Sequence, residues 1–450
     1  MTPPAGDHAV VLGASIAGLL TARVLADSFT RVTLVERDPL PDGPLARRGV
    51  PQAHQVHTLL ARGAQLLGGW FPGVAADLVA DGAVVADAGA RIRFLLGGHR
   101  LHPVTTGRDG VFCSRLLLEH HVRRAVRALP NVEVRDGCDV LHPLDDGRRV
   151  TGVALRSRAG AEEHLPADLV VDATGRGSRT PRWLADTGRT PPPEDRVVVD
   201  TTYLTAAVRL RPGALGDDVA VLTSAAPGHP RTGALFTVEG GVCTAGVAGS
   251  HGDVPRPDLD GLRAFAASLA LPDMADALEG AELVAPPRAA RFPANVRRRY
   301  ERLRDLPDGL LVVGDALCAF NPVYGQGMTV AAIEADALAG LLARGGVPTP
   351  AEYARAAFRA SAPAWDLATG SDLRDPRTAG PRPRSARLVG AYVDRLQAAA
   401  EHDAVLSGRF LSVGSLVAPP SALFRPDVLA RVAWAGLRGA PAPVRVPVRA

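Results

Sequence analysis

Apolar positions recur with two different periods along this chain, and the change from one to the other predicts its elements. Residues 9–12 (Ala-Val-Val-Leu) have the length and β-branched content of a buried strand. After a turn of small residues, Ile16, Leu19, Leu20, Val24 and Leu25 fall on one helix face. Residues 31–35 form a second strand run that ends at Glu36. The order strand, small-residue turn, helix returns late in the chain. Residues 310–313 are an apolar run, and Met328, Ala331, Ala332, Ala335, Leu338, Ala339 and Leu342 keep a helical period. Between these ends, Ser114 starts a helix with Leu118, Val122, Ala125, Val126 and Leu129 opposite Arg123, Arg124 and Arg127, and Pro130 stops it. Residues 131–140, 150–156 and 169–171 are expected strands. Short strands broken by glycines fill 81–103. Pro191-Pro192-Pro193 precedes a β-rich stretch at 197–210, 219–223 and 234–247, and residues 253–280 supply helix. A Pro/Arg/Gly linker at 375–384 leads into a C-terminal helical region.

The two turns carry the chemistry. Gly13-Ala14-Ser15-Ile16-Ala17-Gly18 lies between a strand and a helix, and Glu36 follows Gly18 by 18 positions at the end of the next strand. This is the layout of a dinucleotide-binding βαβ unit. Gly13 permits the tight turn, Gly18 lets helix and strand pack closely, and the helix N-terminus faces a pyrophosphate. Glu36 can take the hydroxyls of an adenosine ribose. The middle glycine of the pattern is replaced by Ser15, which narrows the approach of backbone to phosphate. A buried βαβ turn without a ligand is the alternative. In the second turn, Gly314-Asp315 ends a strand, and Gly325-Gln326-Gly327 opens a helix. Free N–H groups and the positive helix end there favour an oxygen that gains negative charge. The pyrimidine edge of an isoalloxazine gains such charge on reduction. Asp315 is placed to accept hydrogen bonds from a sugar-like chain. On its own, this second pattern is an ordinary α/β turn.

Together the two turns resemble the FAD-dependent monooxygenases of the para-hydroxybenzoate hydroxylase fold. Arg47-Arg48-Gly49-Val50-Pro51-Gln52-Ala53-His54-Gln55-Val56-His57, the segment Asp172-Ala173-Thr174-Gly175-Arg176-Gly177-Ser178-Arg179, and Phe320-Asn321-Pro322-Val323-Tyr324-Gly325-Gln326-Gly327-Met328 sharpen the likeness. The three segments together resemble the bacterial flavin epoxidases of polyether and polyketide biosynthesis, a squalene-epoxidase-like branch. The resemblance implies an α/β fold: a Rossmann-like FAD-binding domain (1–80, 104–190 and 291–365), a β-rich substrate domain (81–103 and 191–290) and a C-terminal helical region (366–450). It implies noncovalent FAD held by Gly13, Ser15, Ile16, Ala17, Gly18, Glu36, Arg37, Arg48, Gln55, Arg115, Val140, Gly314, Asp315, Pro322, Gly325, Gln326, Gly327 and Met328. In the family an arginine at the place of Arg115 reaches the flavin phosphates or ribityl chain; a solvated arginine is the alternative. The expected activity is NADPH- or NADH-dependent monooxygenation, the reductant acting directly or through a flavin-reducing partner. A flavin C4a-hydroperoxide would pass one oxygen of O2 to an alkene of a lipophilic polyketide-type intermediate. An aromatic polyketide hydroxylase of the same fold and a reductase or cyclase of the geranylgeranyl-reductase type are the alternatives. The protein need not supply a nucleophile, and no catalytic side chain is assigned. Tyr203, Phe236, Phe320 and Tyr324 are candidate pocket walls, each with an ordinary core position as its alternative. Val197, Val199, Leu204, Leu235, Val238 and Val242 are expected to line or support an apolar pocket.

Composition narrows the field. The chain has 450 residues, 46% hydrophobic and 22% charged, as in globular proteins. The formal charge of +4 is spread out rather than gathered into a nucleic-acid stripe. All 51 basic residues counted as Lys or Arg are arginine. A Walker A loop needs its lysine and is excluded. A flavin halogenase uses a lysine to handle its halogenating species, so that reading is also set aside. The 4 cysteines are too dispersed for CxxC chemistry and point to reduced thiols in a cytoplasmic protein. His54 and His57 have helix-neighbour spacing, but no further ligands stand near them in sequence, so no metal is expected. The N-terminal apolar stretch is the cofactor turn rather than a signal peptide. No run is long enough to span a bilayer. Residues 410–424 are uncharged but broken by Pro419-Pro420, and peripheral membrane contact remains compatible with them.

Overall fold

The computed structural model describes residues 4–437. In chain order, the elements that build the site are β1 (Gly6–Leu12), α1 (Ile16–Ala26), β2 (Phe29–Val35), α2 (Arg115–Arg127), β3 (Val132–Arg135), β4 (Leu169–Asp172), β5 (Glu194–Arg209), β6 (Val242–Ser250), β7 (Arg288–Arg298), β8 (Leu310–Val312), α3 (Gly327–Leu342) and α4 (Pro350–Asp372). A five-stranded parallel sheet has the order β8-β4-β1-β2-β3. Its strands are apolar without alternation because helices and loops cover both faces: Ala9, Val10, Val11, Val32 and Leu34 are fully buried. Register aligns the carboxyl ends. Leu12 pairs with Val35 and with Asp172, and Asp172 pairs with Val312. Both turns singled out in the sequence therefore leave the same edge of one sheet, where ligands of open α/β sheets bind.

A nine-stranded, mostly antiparallel sheet forms the second layer, with β5 paired to β6 on one side and β7 on the other. Alternation along β5 divides its side chains. Val197, Val199 and Tyr203 pack into the core shared with α1 and α3. Leu204, Ala206 and Val208 face the opposite core, beneath helices Leu259–Ala266 and Asp273–Ala277. Helices Ala386–Ala400, Ala404–Gly414 and Pro426–Leu437 cover the far edge of this sheet through Leu96 and Leu101.

Several expected boundaries move. The run 131–140 is two strands in different sheets, β3 and Cys138–Asp145, separated by Gly137 at φ +65°. The run 234–247 is a hairpin, Thr232–Val238 and β6, folded at Gly240 and Gly241, both at positive φ. The nine-stranded sheet does not end at residue 290, because β7 stays in it to Arg298. Helix α4 runs unbroken across the expected 365/366 border. Arg123, expected on the solvent face of α2, is buried and donates to the Pro41 and Gly43 carbonyls. In each case a tertiary contact overrides a local pattern.

Candidate functional site

The first half of the site is the β1–α1 turn. Gly13 stands at φ +99°, and a Cβ there would lie 2.7 Å from the Ala173 carbonyl oxygen. A Cβ at Gly18 would lie 1.8 Å from the Gly13 carbonyl oxygen. Neither position admits a side chain, so both glycines are required by the fold itself. Ser15 does not cap α1 with its side chain. Its hydroxyl donates to Glu119 Oε2 (3.2 Å) and accepts from Arg115 Nη2 (2.8 Å). Glu36 is buried and accepts from the Ala14 N–H (2.9 Å) and the Asp38 N–H (3.0 Å). It also pairs with Arg47 Nη1 at 2.7 Å, and Arg47 reaches Glu119 at 2.9 Å. Burial works to raise the Glu119 carboxyl, but Arg115 and Arg47 outweigh it and hold it below its ordinary value. The sequence points to Arg48; the structure leaves Arg48 and Arg37 exposed and brings Arg47 inside. Nothing in the spacing of two adjacent arginines distinguishes them. Val140 stands on the strand after β3 and packs beside Val35 and Cys138.

The second half is the β8–α3 segment. Gly314 adopts φ +62°, and a Cβ there would meet Ala17 Cβ at 2.8 Å, so the two turns touch. The Gly314 N–H donates to Glu334 Oε2 at 2.6 Å. Burial pushes Glu334 up to about 8, and its Oε1 has no hydrogen-bond partner. Asp315 makes no hydrogen bond or ion pair among the described residues. Burial raises its carboxyl, opposed by Arg176, Arg115 and Arg298. Asn321, Pro322, Val323, Tyr324 and Gly325 then form a tight turn, closed by Gly325 N–H to the Pro322 carbonyl (3.0 Å) with Gly325 at φ +63°. A Cβ on Gly325 would meet Thr58 at 2.9 Å. Gln326 precedes α3, and its Oε1 is buried without a partner. Gly327 is exposed, and the nearest heavy atom to a Cβ there is Asp315 Oδ1 at 4.0 Å. Met328 is buried in the core beneath.

Next to this turn lies a polar cluster to which the nine-stranded sheet contributes Tyr203 and Asn295. The Tyr203 hydroxyl donates to Asn321 Oδ1. Asp372, the last residue of α4, accepts from Tyr324 (2.7 Å), Asn321 Nδ2 (3.0 Å) and Asn295 Nδ2 (2.7 Å). Phe320 is core, 6.4 Å from the Trp365 ring. Phe236 lies apart from these three, stacked on Phe112 in another cluster. Leu204 and Leu235 are fully buried on the opposite face of the sheet and line no pocket at this turn. Loop 55–58 closes the remaining side: Val56 packs against Gly246 on β6, and Thr58 against Gly325. His57 pairs through Nδ1 with the Gln55 carbonyl (2.8 Å). Burial, with Arg115 nearby, pushes His57 down to about 4, so it is neutral at physiological pH. His54 and His57 share no helix and form no metal-ligand cluster among the described residues. Sequence reasoning missed Arg47, Glu119, Glu334, Asn295 and Asp372, all of them polar side chains whose partners only the fold reveals.

These features fit FAD. The unpartnered Asp315 carboxyl, the orphaned Gln326 Oε1 and the open space above Gly327 lie together at the start of α3. The glycine turn and Glu36 lie across the Ala17–Gly314 contact.

No protein-family model matches the chain. Protein Rv3254 of Mycobacterium tuberculosis is 38% identical over 432 residues, covering 91% of this chain and 90% of that protein. A flavoprotein/dehydrogenase from Cytophaga hutchinsonii shares the fold with a TM-score of 0.68 at 16% identity, over 95% of this chain and 96% of that one. The flavin-dependent brominase Bmp2 aligns with a TM-score of 0.65 at 15% identity, over 96% and 99%. The p-nitrophenol 4-monooxygenase PnpA from Pseudomonas putida aligns with a TM-score of 0.63 at 16% identity, over 96% and 99%. The fold, with its parallel-sheet domain, sheet-rich domain and C-terminal helices, is thus shared with a flavoprotein, a flavin-dependent brominase and a p-nitrophenol monooxygenase.

Proposed function

From within the family of Protein Rv3254, to which the chain belongs, we propose that this protein is an FAD-dependent monooxygenase. The observation that carries the reading is the meeting of two half-sites at one sheet edge, in contact through Ala17 and Gly314. Glu36 would hold the adenosine ribose, and the N–H groups of residues 13–18, with Arg115 beside them, the pyrophosphate. Asp315 would take the ribityl chain and the start of α3 the pyrimidine edge of the ring. When bound, FAD supplies the chemistry that takes two electrons from NADPH or NADH and delivers one atom of O2 to a substrate, the other leaving as water. The chain's part is to orient the substrate and exclude water.

An uncharged, electron-rich alkene of a lipophilic natural product is the proposed substrate, with an epoxide as product. The state of the two tyrosines supports this choice. Tyr203 and Tyr324 both donate to protein acceptors, so neither hydroxyl is free to hold a phenolate. The purified protein, loaded with FAD, is to be given NADPH, labelled oxygen gas and panels of polyenes and phenols. Label incorporated into an epoxide supports the reading. Turnover of phenols alone would replace the epoxidase with a hydroxylase, and NADPH-driven reduction or cyclisation of a substrate without oxygen uptake would remove the monooxygenase.

A further inference from the structure

Helix α4 closes the far side of the turn that begins α3, and it does so through one carboxylate at its last residue. Asp372 receives donors from two separate parts of the chain. Asn295 Nδ2 comes from β7 at 2.7 Å, and Asn321 Nδ2 (3.0 Å) and the Tyr324 hydroxyl (2.7 Å) come from the turn itself. The turn has little of its own to fix it. The internal bonds from the Val323 N–H to Asn321 Oδ1 and from the Tyr324 N–H to the Asn321 carbonyl are both long at 3.4 Å, and the Gly325 N–H to the Pro322 carbonyl (3.0 Å) is the one short link. Asn321 is further tied by its N–H to Asn295 Oδ1 at 2.6 Å and by Tyr203 to its Oδ1. Asp372 is half-buried and both its oxygens accept hydrogen bonds, and a network of such bonds settles into one arrangement. The residues it fixes, Asn321 and Tyr324, flank the backbone that leads into Gly325, Gln326 and Gly327.

We propose that Asp372 is a positioning residue for the flavin reaction: it holds the Asn321–Tyr324 turn, and with it the start of α3, in the one arrangement that meets the ring. The inference rests on the FAD reading above. It also gives the C-terminal region a part in the site, since the side chain that sets the turn comes from beyond the FAD-binding strands.

The test uses the full chain loaded with FAD. Asp372→Ala, the isosteric Asp372→Asn, Tyr324→Phe and the double variant Asp372→Ala/Tyr324→Phe are compared with Leu396→Ala. Leu396 is a buried packing residue of the C-terminal helices, in a different hydrophobic cluster from the turn residues. The readouts are the visible circular dichroism of bound FAD, its midpoint potential and the melting temperature. Both Asp372 variants should alter the dichroism bands and displace the potential. Leu396→Ala should lower the melting temperature and leave both flavin signals as in the wild type. Adding Tyr324→Phe to Asp372→Ala should change the flavin signals little further, because the two side chains act as one unit. Asp372 variants that melt lower but keep wild-type dichroism and potential would overturn the inference and leave the FAD reading standing. Additive changes from Asp372 and Tyr324 would overturn it as well. A wild-type protein that takes up no FAD would overturn both.

Discussion

Glu36 and Arg47 show how far a single residue's role is decided by its partners. Glu36 sits where a dinucleotide's ribose would be bound, and Arg47 already occupies part of its acceptor capacity. A charged hydrogen bond is worth roughly 1.5–3 kcal/mol. Glu36→Gln should therefore weaken FAD binding by roughly ten- to a hundred-fold, measured by quenching of FAD fluorescence on titration with apoprotein. Arg47 and Arg48 make a sharper comparison. Removing Arg47 leaves Glu36 and Glu119 buried with one cation fewer, a change that costs about 3–5 kcal/mol. Arg48 is exposed. Arg47→Ala should lower the denaturant midpoint strongly, while Arg48→Ala should stay within about 0.5 kcal/mol of wild type. Equal effects would show that the pairing is wrong. Glu334 gives a pH dependence of known sign. Its folded value, about 8, lies above the 4.5 of the free carboxyl. Between those values the folded state holds a proton that the unfolded state has released. Its contribution is present below pH 4.5 and is lost as pH rises toward 8, at about 1.4 kcal/mol per unit. Thermal melts at stepped pH should show wild type falling relative to Glu334→Gln across that window. Parallel curves would rule out the protonated buried acid.

At the scale of elements, the sequence was most legible where structure is local. The β1–α1–β2 unit and the Ser114 cap of α2 were readable because each depends on residues close together in the chain. Ser114 accepts from the Leu117 N–H at 3.1 Å, as an N-cap should. Long-range pairing was not legible. Residues 131–140 keep one apolar pattern across two sheets, because Gly137, at positive φ, passes the chain from one sheet to the other without breaking the pattern. β7 falls outside the expected β-rich segment because its partner β5 lies almost a hundred residues earlier. The hydrogen-bonded carboxylates Glu119, Glu334 and Asp372 are invisible for a related reason: a polar residue inside a helix reads as solvent-facing until its neighbours are known. The start of α3 offers a test at this scale. No protein atom closer than 4.0 Å would meet a Cβ at Gly327, and its φ is not in the left-handed region. The fold alone does not demand glycine there. Gly327→Val should therefore melt close to wild type as apoprotein yet fail to retain FAD. Full FAD occupancy in this variant would move the ring away from the helix start.

At the scale of the whole molecule, the two half-sites make a joint prediction that neither makes alone. They come from segments some 300 residues apart and meet only because β1, β4 and β8 align their carboxyl ends. A ligand that spans both should stabilise the folded chain through linkage, by about 2.7 kcal/mol at a concentration one hundred times its Kd. A ligand that reaches the ring half alone should stabilise it less at the same concentration. Melting of the apoprotein with added FAD, FMN and ADP therefore separates three arrangements. If the reading is right, FAD gives the largest rise, and FMN and ADP each give a small one. Glu36→Gln should then reduce the rise with FAD and ADP while leaving that with FMN, because FMN lacks the adenosine half that Glu36 would hold. Gly327→Val should do the reverse, reducing the rise with FAD and FMN and sparing ADP. Equal rises with FAD and FMN in the wild type would mean that the glycine turn and Glu36 take no part in binding, and that the first half of the site is a packing feature of the fold.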